Sequence, residues 1–387
     1  MALTEKGQNA LNHINKYFPT GAFSAKDLSD ACGEKIVAAT LNSVATNGYL
    51  NKLGGSPVQY EAVDELAALL QALTDEENNK GCDNSNLTAA RKAKNDEFYT
   101  RYEDIEAEVM KYRKQFRDKI VYLPCDDPAE KKSEFWSFFV NNFDTFGLKK
   151  LIATHYDENG KAYKIWIEED TTGDGYIDDG DALQEDLIGN GDFRSPECVE
   201  ILKECDIICT NPPFSMFREF IDLIVGNNKS FLIIGSQNAF TYKEFFPLIK
   251  NNQVWVGYNM VKQFNQPDGS VKKFGNICWF TNLSSSRRNE EIILTKTYNE
   301  NNYPKYDNYN AIEVSKVADI PKDYYDVMGV PITFIDKYNP NQFVILGHTA
   351  SCDISPEVEE LRTDSNFRNR GRINGKEKYD RVLIKRK

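Results

Sequence analysis

The sequence predicts an α/β fold in which a mostly parallel sheet carries helices on both faces, with a small helical unit before it. Short apolar strands alternate with amphipathic helices after residue 94, and polar side chains follow those strands. Buried parallel strands have this pattern because crossover helices cover both faces of their sheet. At 387 residues the chain is long enough for two or more domains.

Residues 1–66 predict three helices followed by a β-hairpin. Apolar residues from Leu3 to Phe18 have helical spacing, and Ser24 with Asp27 three residues later is a capping-box signal for a second helix. A third helix (34–47) and a hairpin (49–62) follow. The order resembles a winged helix-turn-helix domain, which often places its third helix in a DNA groove. A protein-docking or purely structural winged helix is the alternative.

A polar segment over 67–93 predicts a linker, and the strands and helices of the larger unit follow it. The predicted strands are Ile120–Leu123, Leu151–Thr154, Ile207–Cys209, Phe231–Ile234, Val254–Val256 and Ile277–Phe280. The predicted helices are Phe135–Phe146, Phe217–Val225 and Tyr242–Lys250. The last two strands are close in sequence, which predicts an antiparallel pair at the sheet edge.

Composition limits the classes of function. The net charge of −12, from 47 basic and 59 acidic side chains, counts against a nucleic-acid binder, but the tail from Arg362 to Lys387 is strongly basic. Local field decides where a phosphate backbone docks. No apolar run approaches the roughly 20 residues of a membrane span. Eight scattered cysteines and a start without a secretion leader predict a cytoplasmic protein, and the lack of a CxxC pair argues against a zinc site.

One segment carries the chemistry. An apolar strand ends at Asn211-Pro212-Pro213-Phe214. The prolines lack N–H donors and fix φ, so the Asn211 side chain and the Pro212 carbonyl can accept both hydrogens of an exocyclic amine while Phe214 offers a flat apolar face. A simple strand-ending turn is the alternative. The strand before the segment and the aromatic ring that ends it favour the catalytic interpretation.

Polar segments also follow the other strands, where ligands of open α/β sheets bind. They are Pro124–Pro128, His155–Asp157 and Gly191–Phe193. Carboxylates in these segments can hold ribose hydroxyls, a cationic amino acid or an adenine amine. The chain has no Walker-type loop, no G-x-G-x-x-G and no Ser-His-Asp arrangement.

From about Lys94 to its end the chain resembles the EcoRI-type adenine-N6 DNA methyltransferases, which use S-adenosylmethionine and have a Rossmann-like methyltransferase sheet. The residues that carry the resemblance are Lys94–Thr100, Cys125–Pro128, Gly191–Ser195, Thr210–Phe214, Gly275–Asn282, Tyr303–Tyr309 and Gly329–Phe334. The resemblance implies a catalytic domain at 94–290 and a C-terminal region for DNA recognition at 291–387. It leaves out the winged-helix-like segment.

The resemblance also implies roles for individual residues. Asn211, Pro212, Pro213 and Phe214 form the catalytic loop. The implied S-adenosylmethionine contacts are Phe98, Tyr99 and Thr100 at the methionine end, Pro124, Cys125, Asp126 and Tyr156 after the first two strands, and Asp192 with Phe193 at the adenine. The loop after the first strand lacks the usual glycines, and no acidic ribose ligand is obvious after the second strand.

An adenine that is rotated out of the duplex for methylation is expected to stack on aromatic side chains, and the DNA phosphates are expected to contact basic side chains. The predicted stacking residues are Phe214, Phe274, Trp279 and Phe280. The predicted DNA contacts are Lys35, Arg368, Arg370, Arg372 and Lys376. Lys35 is the one basic residue of the predicted third helix.

The expected activity is therefore site-specific methylation of adenine N6 in duplex DNA, with the target base flipped out of the helix. Protein-glutamine or RNA-adenine methylation and a non-catalytic DNA-binding regulator are the alternatives. The expected partners are double-stranded DNA and a cognate restriction nuclease, with the protein a monomer away from membranes.

The acidic segment 170–181 partly matches a calcium-binding EF-hand loop. The third position is Thr172, and the twelfth is Asp181 in place of Glu. These departures favour a solvated acidic hairpin inserted between strands.

Overall fold

The structure is a computed structural model that describes residues 10–11, 13–14, 17–18, 22–33, 35–46, 50–54, 57–62, 98–125, 134–158, 161–266, 269–349, 355–363 and 370–387. The described residues fall into two compact units, divided between Asp83 and Asn84. Within the described residues, no helix combines the length and apolarity that crossing a bilayer requires.

The smaller unit is a three-stranded antiparallel sheet packed against helices. Its elements are β1 (Ala22–Ser24), α1 (Ala25–Cys32), α2 (Ala38–Thr46), β2 (Leu50–Gly54) and β3 (Gln59–Ala62). The strand order is β1-β3-β2. The predicted capping box is present, since Ser24 and Asp27 cap α1 reciprocally. Strand β1 escaped sequence analysis because three residues are too few to show a period.

The larger unit contains a nine-stranded sheet in the order β4-β11-β12-β10-β9-β5-β6-β7-β8. Its strands are β4 (Tyr99–Thr100), β5 (Ile120–Leu123), β6 (Lys150–His155), β7 (Tyr163–Ile167), β8 (Leu183–Asp186), β9 (Ile207–Thr210), β10 (Ser230–Ser236), β11 (Trp255–Asn265) and β12 (Val271–Thr281). The expectation of a mostly parallel sheet was wrong for the whole sheet. The pairs β6–β5, β5–β9 and β9–β10 are parallel, and the other five are antiparallel. The short connections of β6–β7 and β11–β12 leave no length for crossover helices.

The helices of the larger unit are α3 (Tyr102–Val109), α4 (Glu134–Asn141), α5 (Phe143–Phe146), α6 (Pro196–Glu204), α7 (Phe217–Gly226), α8 (Phe246–Lys250) and α9 (Pro356–Leu361). The predicted helix Phe135–Phe146 is divided at Asn142. The predicted helix Tyr242–Lys250 is helical only in its second half.

Two apolar cores lie on opposite faces of the sheet, because successive strand residues point to opposite sides. In β9, Ile208 packs with α6 and α7, whereas Ile207 and Cys209 pack with α3, α4 and α5. The neighbouring strands alternate in the same way. The predicted cover of helices on both faces is therefore present.

A second sheet completes the larger unit in the order β13-β14-β18-β15, and a separate hairpin pairs β16 with β17. These strands are β13 (Ile312–Glu313), β14 (Met328–Pro331), β15 (Phe343–His348), β16 (Arg372–Ile373), β17 (Lys376–Glu377) and β18 (Arg381–Arg386). Val330 and Ile384 of this sheet belong to the same apolar core as Phe220 of α7. The predicted boundary at residue 290 thus separates segments that share one core.

A buried carboxylate shapes the long strand β11. Glu108 is fully buried at the end of α3 and accepts hydrogen bonds from the backbone N–H groups of Tyr258 and Asn259, each at 2.7 Å. The Asn259 amide (2.9 Å) and the Tyr112 hydroxyl (3.0 Å) also donate to it. A Cβ on Gly257 would lie 2.2 Å from Glu108 Oε1, so only glycine fits there. Burial raises the pKa of Glu108, and these donors oppose the rise.

Replacing Glu108 by Gln is expected to destabilise the protein by about 2–4 kcal/mol, because the amide turns a donor toward buried N–H and O–H donors. Urea unfolding at pH 7 measures the change. The exposed neighbour Glu106 of the same helix supplies the control E106Q. Equal midpoints for the two variants would contradict the role given to Glu108.

Candidate active site

The segment after β9 forms a rigid turn at the carboxyl edge of the sheet. A residue before proline is restricted to extended backbone, and Pro213 then caps a short 3₁₀ helix, Phe214–Met216. The Met216 N–H donates to the Pro213 carbonyl at 2.9 Å. Proline stiffness and this bond restrict the backbone of the turn that carries Asn211.

The Asn211 side chain is held by a single strong contact. Its Nδ2 donates to the Phe98 carbonyl at 2.5 Å. A carbonyl only accepts, so the bond fixes which end of the amide is the donor. The other end, Asn211 Oδ1, is buried and meets no donor among the described residues. A buried acceptor without a partner is costly, and it is satisfied when a ligand brings an N–H group.

Four phenylalanines surround this acceptor. Phe214 lies 5.9 Å from Phe98, 6.3 Å from Phe264 and 6.3 Å from Phe274, measured between ring centroids. Phe98 also contacts Phe264 at 6.2 Å and Phe274 at 4.9 Å. We call these four residues the aromatic cluster. Phe214 and Phe274 are partly exposed, so the cluster presents ring surface to solvent beside Asn211.

The aromatic cluster is assembled from three distant parts of the chain. Phe98 directly precedes β4, which pairs with the end of β11 through Thr100 and Phe264. Phe264 in β11 stands opposite Lys272 in β12, two residues before Phe274. Residues two apart in a strand share a face, so Phe264, Lys272 and Phe274 lie on one side of the hairpin.

The other predicted loops meet at the same sheet edge. Tyr122 of β5 stands opposite Ile152 of β6 and Ile208 of β9, so the three strands end together. Loop 189–192 is pressed onto the end of β6, where a Cβ on Gly191 would lie 2.2 Å from the His155 carbonyl oxygen. Gly191 has φ +75°, which also requires glycine.

Asp192 is held in that loop by Arg194. The guanidinium reaches both carboxylate oxygens, at 2.9 Å from Nε and 2.6 Å from Nη2, and Arg194 Nη1 also reaches Glu219 of α7 at 2.7 Å. Arg194 holds the pKa of Asp192 below its usual range. The carboxylate is therefore ionised at neutral pH and is joined, through Arg194, to the helix α7 that follows the turn at Asn211–Phe214.

Thr100 lies beside the aromatic cluster and has a second orphaned polar atom. Its hydroxyl is buried, with the residue 2% exposed, and it has no hydrogen-bond partner among the described residues. Its neighbour Tyr99 pairs with Asn265. Tyr156 is exposed after β6, whereas Pro124 is buried and Cys125 partly buried after β5. Asp126 lies outside the described residues.

Three predicted site residues belong to the core instead. Trp279 and Phe280 are fully buried; Trp279 packs edge-on against Phe135 and Phe280 packs against Phe245. Their prediction as cover for a flipped base was therefore wrong, and Phe274 is the partly exposed alternative. Phe193 is 5% exposed and packs against Phe220 at 5.1 Å between ring centroids, so little of its ring is open to a cofactor.

The predicted DNA contacts lie in two units. Lys35 is exposed just before α2 in the smaller unit. In the larger unit, Arg370 pairs with Asp380 at 2.9 Å and Arg372 with Glu377 at 3.2 Å, while Lys376 is exposed on β17. Arg368 lies outside the described residues. Acidic neighbours thus neutralise part of the basic tail.

Sequence analysis missed Phe264, Arg194 and Lys272. Phe264 lies in β11, whose partner strand β12 contains Phe274. Predicting that these two rings meet would have required the register of the hairpin. Arg194 follows Asp192 by two residues, but that spacing does not predict a bidentate ion pair. The hairpin register placed Phe264 and Lys272, and only the contact of Arg194 with Glu219 of α7 is distant in sequence.

The acidic segment 170–181 connects β7 to β8 as a hairpin insertion, in agreement with the sequence interpretation. Asp181 accepts from the backbone N–H groups of Thr171 (2.8 Å), Thr172 (3.0 Å) and Asp178 (3.0 Å). In the described part of the chain, no three His, Cys, Asp or Glu side chains are grouped to hold a metal ion. The carboxylate serves the backbone of the loop.

Comparison with known proteins identifies the class. Residues 86–387 match the family described as adenine-specific methyltransferase EcoRI. The chain is 42% identical to the type II methyltransferase M.EcoRI of Escherichia coli over 79% of its length and 97% of that protein. It is 38% identical to M.MgeORF184P of Mycoplasma genitalium and 37% identical to M.MpnI of Mycoplasma pneumoniae, each over 77% of its own length and 97% of theirs. No solved structure matches the chain.

The mixed α/β sheet and these matches define an adenine-specific methyltransferase. The chain belongs to the EcoRI adenine-specific methyltransferase family. The match begins after the smaller unit, which lies outside it.

The acidic loop is expected to loosen in acid. Hydrogen bonds from the backbone of Asp178, Thr172 and Thr171 lower the pKa of Asp181 to about 2, below its ordinary value of 3.8. Because the folded pKa is the lower one, this stabilisation is present above about pH 4 and is lost as pH falls toward 2. Hydrogen exchange of the Thr171 and Thr172 amides measures it.

Asp181→Asn should remove this protection at pH 7, whereas Asp186→Asn on exposed β8 should leave it intact. Protection of both amides that is independent of pH from 4 to 2 would contradict the assignment.

Proposed function

We propose that this protein transfers the methyl group of S-adenosylmethionine to N6 of a specific adenine in duplex DNA. Family membership supports an adenine target, and the relatives carry the name type II methyltransferase. The observation that carries the proposal is the buried, unpartnered Asn211 Oδ1 beside exposed aromatic surface. An exocyclic amine on a flat base fits both features.

Asn211 prepares the amine for attack. The N6 lone pair is delocalised into the adenine ring, which makes the amine a poor nucleophile. Hydrogen bonds from its two N–H groups to Asn211 Oδ1 and the Pro212 carbonyl localise that lone pair on nitrogen and aim it. The Phe98 carbonyl keeps Asn211 Oδ1 turned toward the amine throughout. Catalysis then rests on positioning and electrostatics without a covalent intermediate.

The chain offers groups that suit S-adenosylmethionine, whose sulfonium supplies an electrophilic methyl. The orphaned Thr100 hydroxyl lies next to the aromatic cluster and fits the polar methionine end. The ionised Asp192 suits the adenine amine of the cofactor. Cys125 and Tyr156 follow β5 and β6 at the same edge of the sheet.

A base inside a duplex cannot reach Asn211, so the target adenine must be flipped out. Phe214 stacks on one face of the flipped base, and Phe274 covers its edge or its other face. Base–aromatic stacking contributes roughly 1–3 kcal/mol per base, which offsets the cost of unstacking. Ring contacts with Phe98 and Phe264 keep Phe274 in place.

The remaining regions have proposed roles in DNA recognition. We propose that the smaller unit, in which α2 follows Lys35 and precedes the hairpin β2–β3, is a winged-helix-like domain that contacts DNA. The region 291–387 would select the sequence, with Lys376 at the backbone. We further propose a monomeric cytoplasmic enzyme that protects DNA from a cognate nuclease.

Methylation of RNA adenine or of protein glutamine is the competing activity, because an Asn-Pro-Pro-Phe turn can hold either amine. Incubation with labelled S-adenosylmethionine and duplex DNA, RNA or cell protein distinguishes them. Label on adenine N6 of duplex DNA is expected. Label in RNA or protein alone would overturn the proposal.

Replacing Asn211 by Ala is expected to lower kcat at least about a hundredfold, because it removes a preorganised acceptor of the reacting amine. Single-turnover transfer to duplex DNA measures the effect. Asn141, exposed at the end of α4, supplies the control N141A. Equal transfer by N211A and the native enzyme would exclude Asn211 from the chemistry.

Arg194→Gln is expected to weaken S-adenosylmethionine binding most strongly at low pH. Without the guanidinium the pKa of Asp192 rises toward its ordinary value, so protonation begins at a higher pH. Titration of cofactor affinity from pH 4 to 8 should show the acidic limb displaced upward relative to native. The exposed α6 residue Lys203 provides the control K203Q. Superimposable pH profiles would refute the coupling.

A further inference from the structure

The hairpin β11–β12 carries three lysines close to the catalytic turn. Lys262 lies in β11, and Lys272 and Lys273 lie in β12. All three are exposed, and none forms an ion pair with a carboxylate in the described part of the chain. Arg370 and Arg372 differ, because each is neutralised by an acidic neighbour. In a protein of net charge −12, unpaired cations concentrated on one hairpin mark a favourable place for a polyanion.

Lys272 is the one of the three that reaches the site. Its ammonium lies 4.7 Å from the ring centroid of Phe98 and 5.4 Å from that of Phe274. The register places it opposite Phe264 on the face that carries the aromatic cluster. Cation–π attraction holds the ammonium over these rings without neutralising its charge. The cation is therefore positioned beside the pocket and remains free to bind an anion.

A flipped nucleotide brings its own anions to this place. When the base stacks on Phe214, its sugar and the two adjoining phosphates stay at the rim of the pocket, outside the rings. We infer that Lys272 binds a backbone phosphate of the target nucleotide and holds the extruded base against the aromatic cluster. This inference rests on the proposed DNA adenine methylation.

The carboxylate of the cofactor's methionine is the other anion that Lys272 could meet. A single carboxylate needs one cation, whereas the hairpin presents three exposed lysines on two strands. Lys273 stands opposite Gln263 and faces away from Lys272, so the positive charge extends around the hairpin. An extended, solvent-facing set of charges suits a phosphate backbone.

The test compares K272Q, K272R and the control K111Q, since Lys111 is an exposed lysine on the helical turn after α3. The affinity of each variant for an unmethylated duplex that contains the target sequence is measured from 50 to 200 mM salt. The plot of log K against log salt has a negative slope, and loss of one phosphate contact reduces its magnitude by about 0.9. The ratio of the affinity at 50 mM salt to that at 200 mM salt should therefore be about 3.5-fold smaller for K272Q than for the native enzyme. K272R and K111Q should keep the native slope.

Two further measurements separate the outcomes. S-adenosylmethionine affinity without DNA should be the same in K272Q and native enzyme; a weakened cofactor affinity with an unchanged salt slope would assign Lys272 to the cofactor carboxylate and overturn the inference. Fluorescence of 2-aminopurine at the target position should rise less in K272Q, since the extruded state loses its anchor. Native enzyme that fails to methylate duplex DNA would refute the proposed function itself, whereas active native enzyme with an unaltered K272Q slope would refute only the role of Lys272.

Discussion

The hydrogen bond from Asn211 Nδ2 to the Phe98 carbonyl is the contact on which the site depends. It joins the residue before β4 to the turn after β9, 113 positions later in sequence. It orients the amide so that Oδ1 is left buried and without a donor among the described residues. The ring of Phe98 also contacts the rings of Phe214 and Phe274. One residue therefore fixes both the proposed acceptor of the amine and the proposed surface for the base.

The sheet makes that contact possible. Strands β5, β6 and β9 end together, so the loops that follow them converge at one edge. The hairpin β11–β12 brings Phe264 and Phe274 to the same place. The hydrogen bonds that Glu108 accepts from the backbone of Tyr258 and Asn259 fix the position of β11. A carboxylate in α3, remote in sequence from the catalytic turn, thus contributes to its surroundings through the strand.

Ion pairing, and not the number of basic residues in a segment, decides which side chains carry an uncompensated charge. The basic tail predicted a DNA surface, yet Arg370 and Arg372 are committed to Asp380 and Glu377. Lys272, which no pattern singled out, keeps its charge over aromatic rings. Asp192 shows the converse, since Arg194 holds it ionised at the sheet edge. Which charges meet an anion depends on which neighbours the fold supplies.

The sequence by itself determined the central strands, the capping box at Ser24, the catalytic turn and the family resemblance, because these depend on local patterns of a few residues. Only the tertiary structure decided which aromatics form the site. Phe274 and Trp279 lie in the same strand and belong to the same apolar core, but Trp279 is fully buried against Phe135, whereas Phe274 is partly exposed. Strand direction, hairpin register and ion pairing join residues distant in sequence, and a single chain carries no local signal for such contacts.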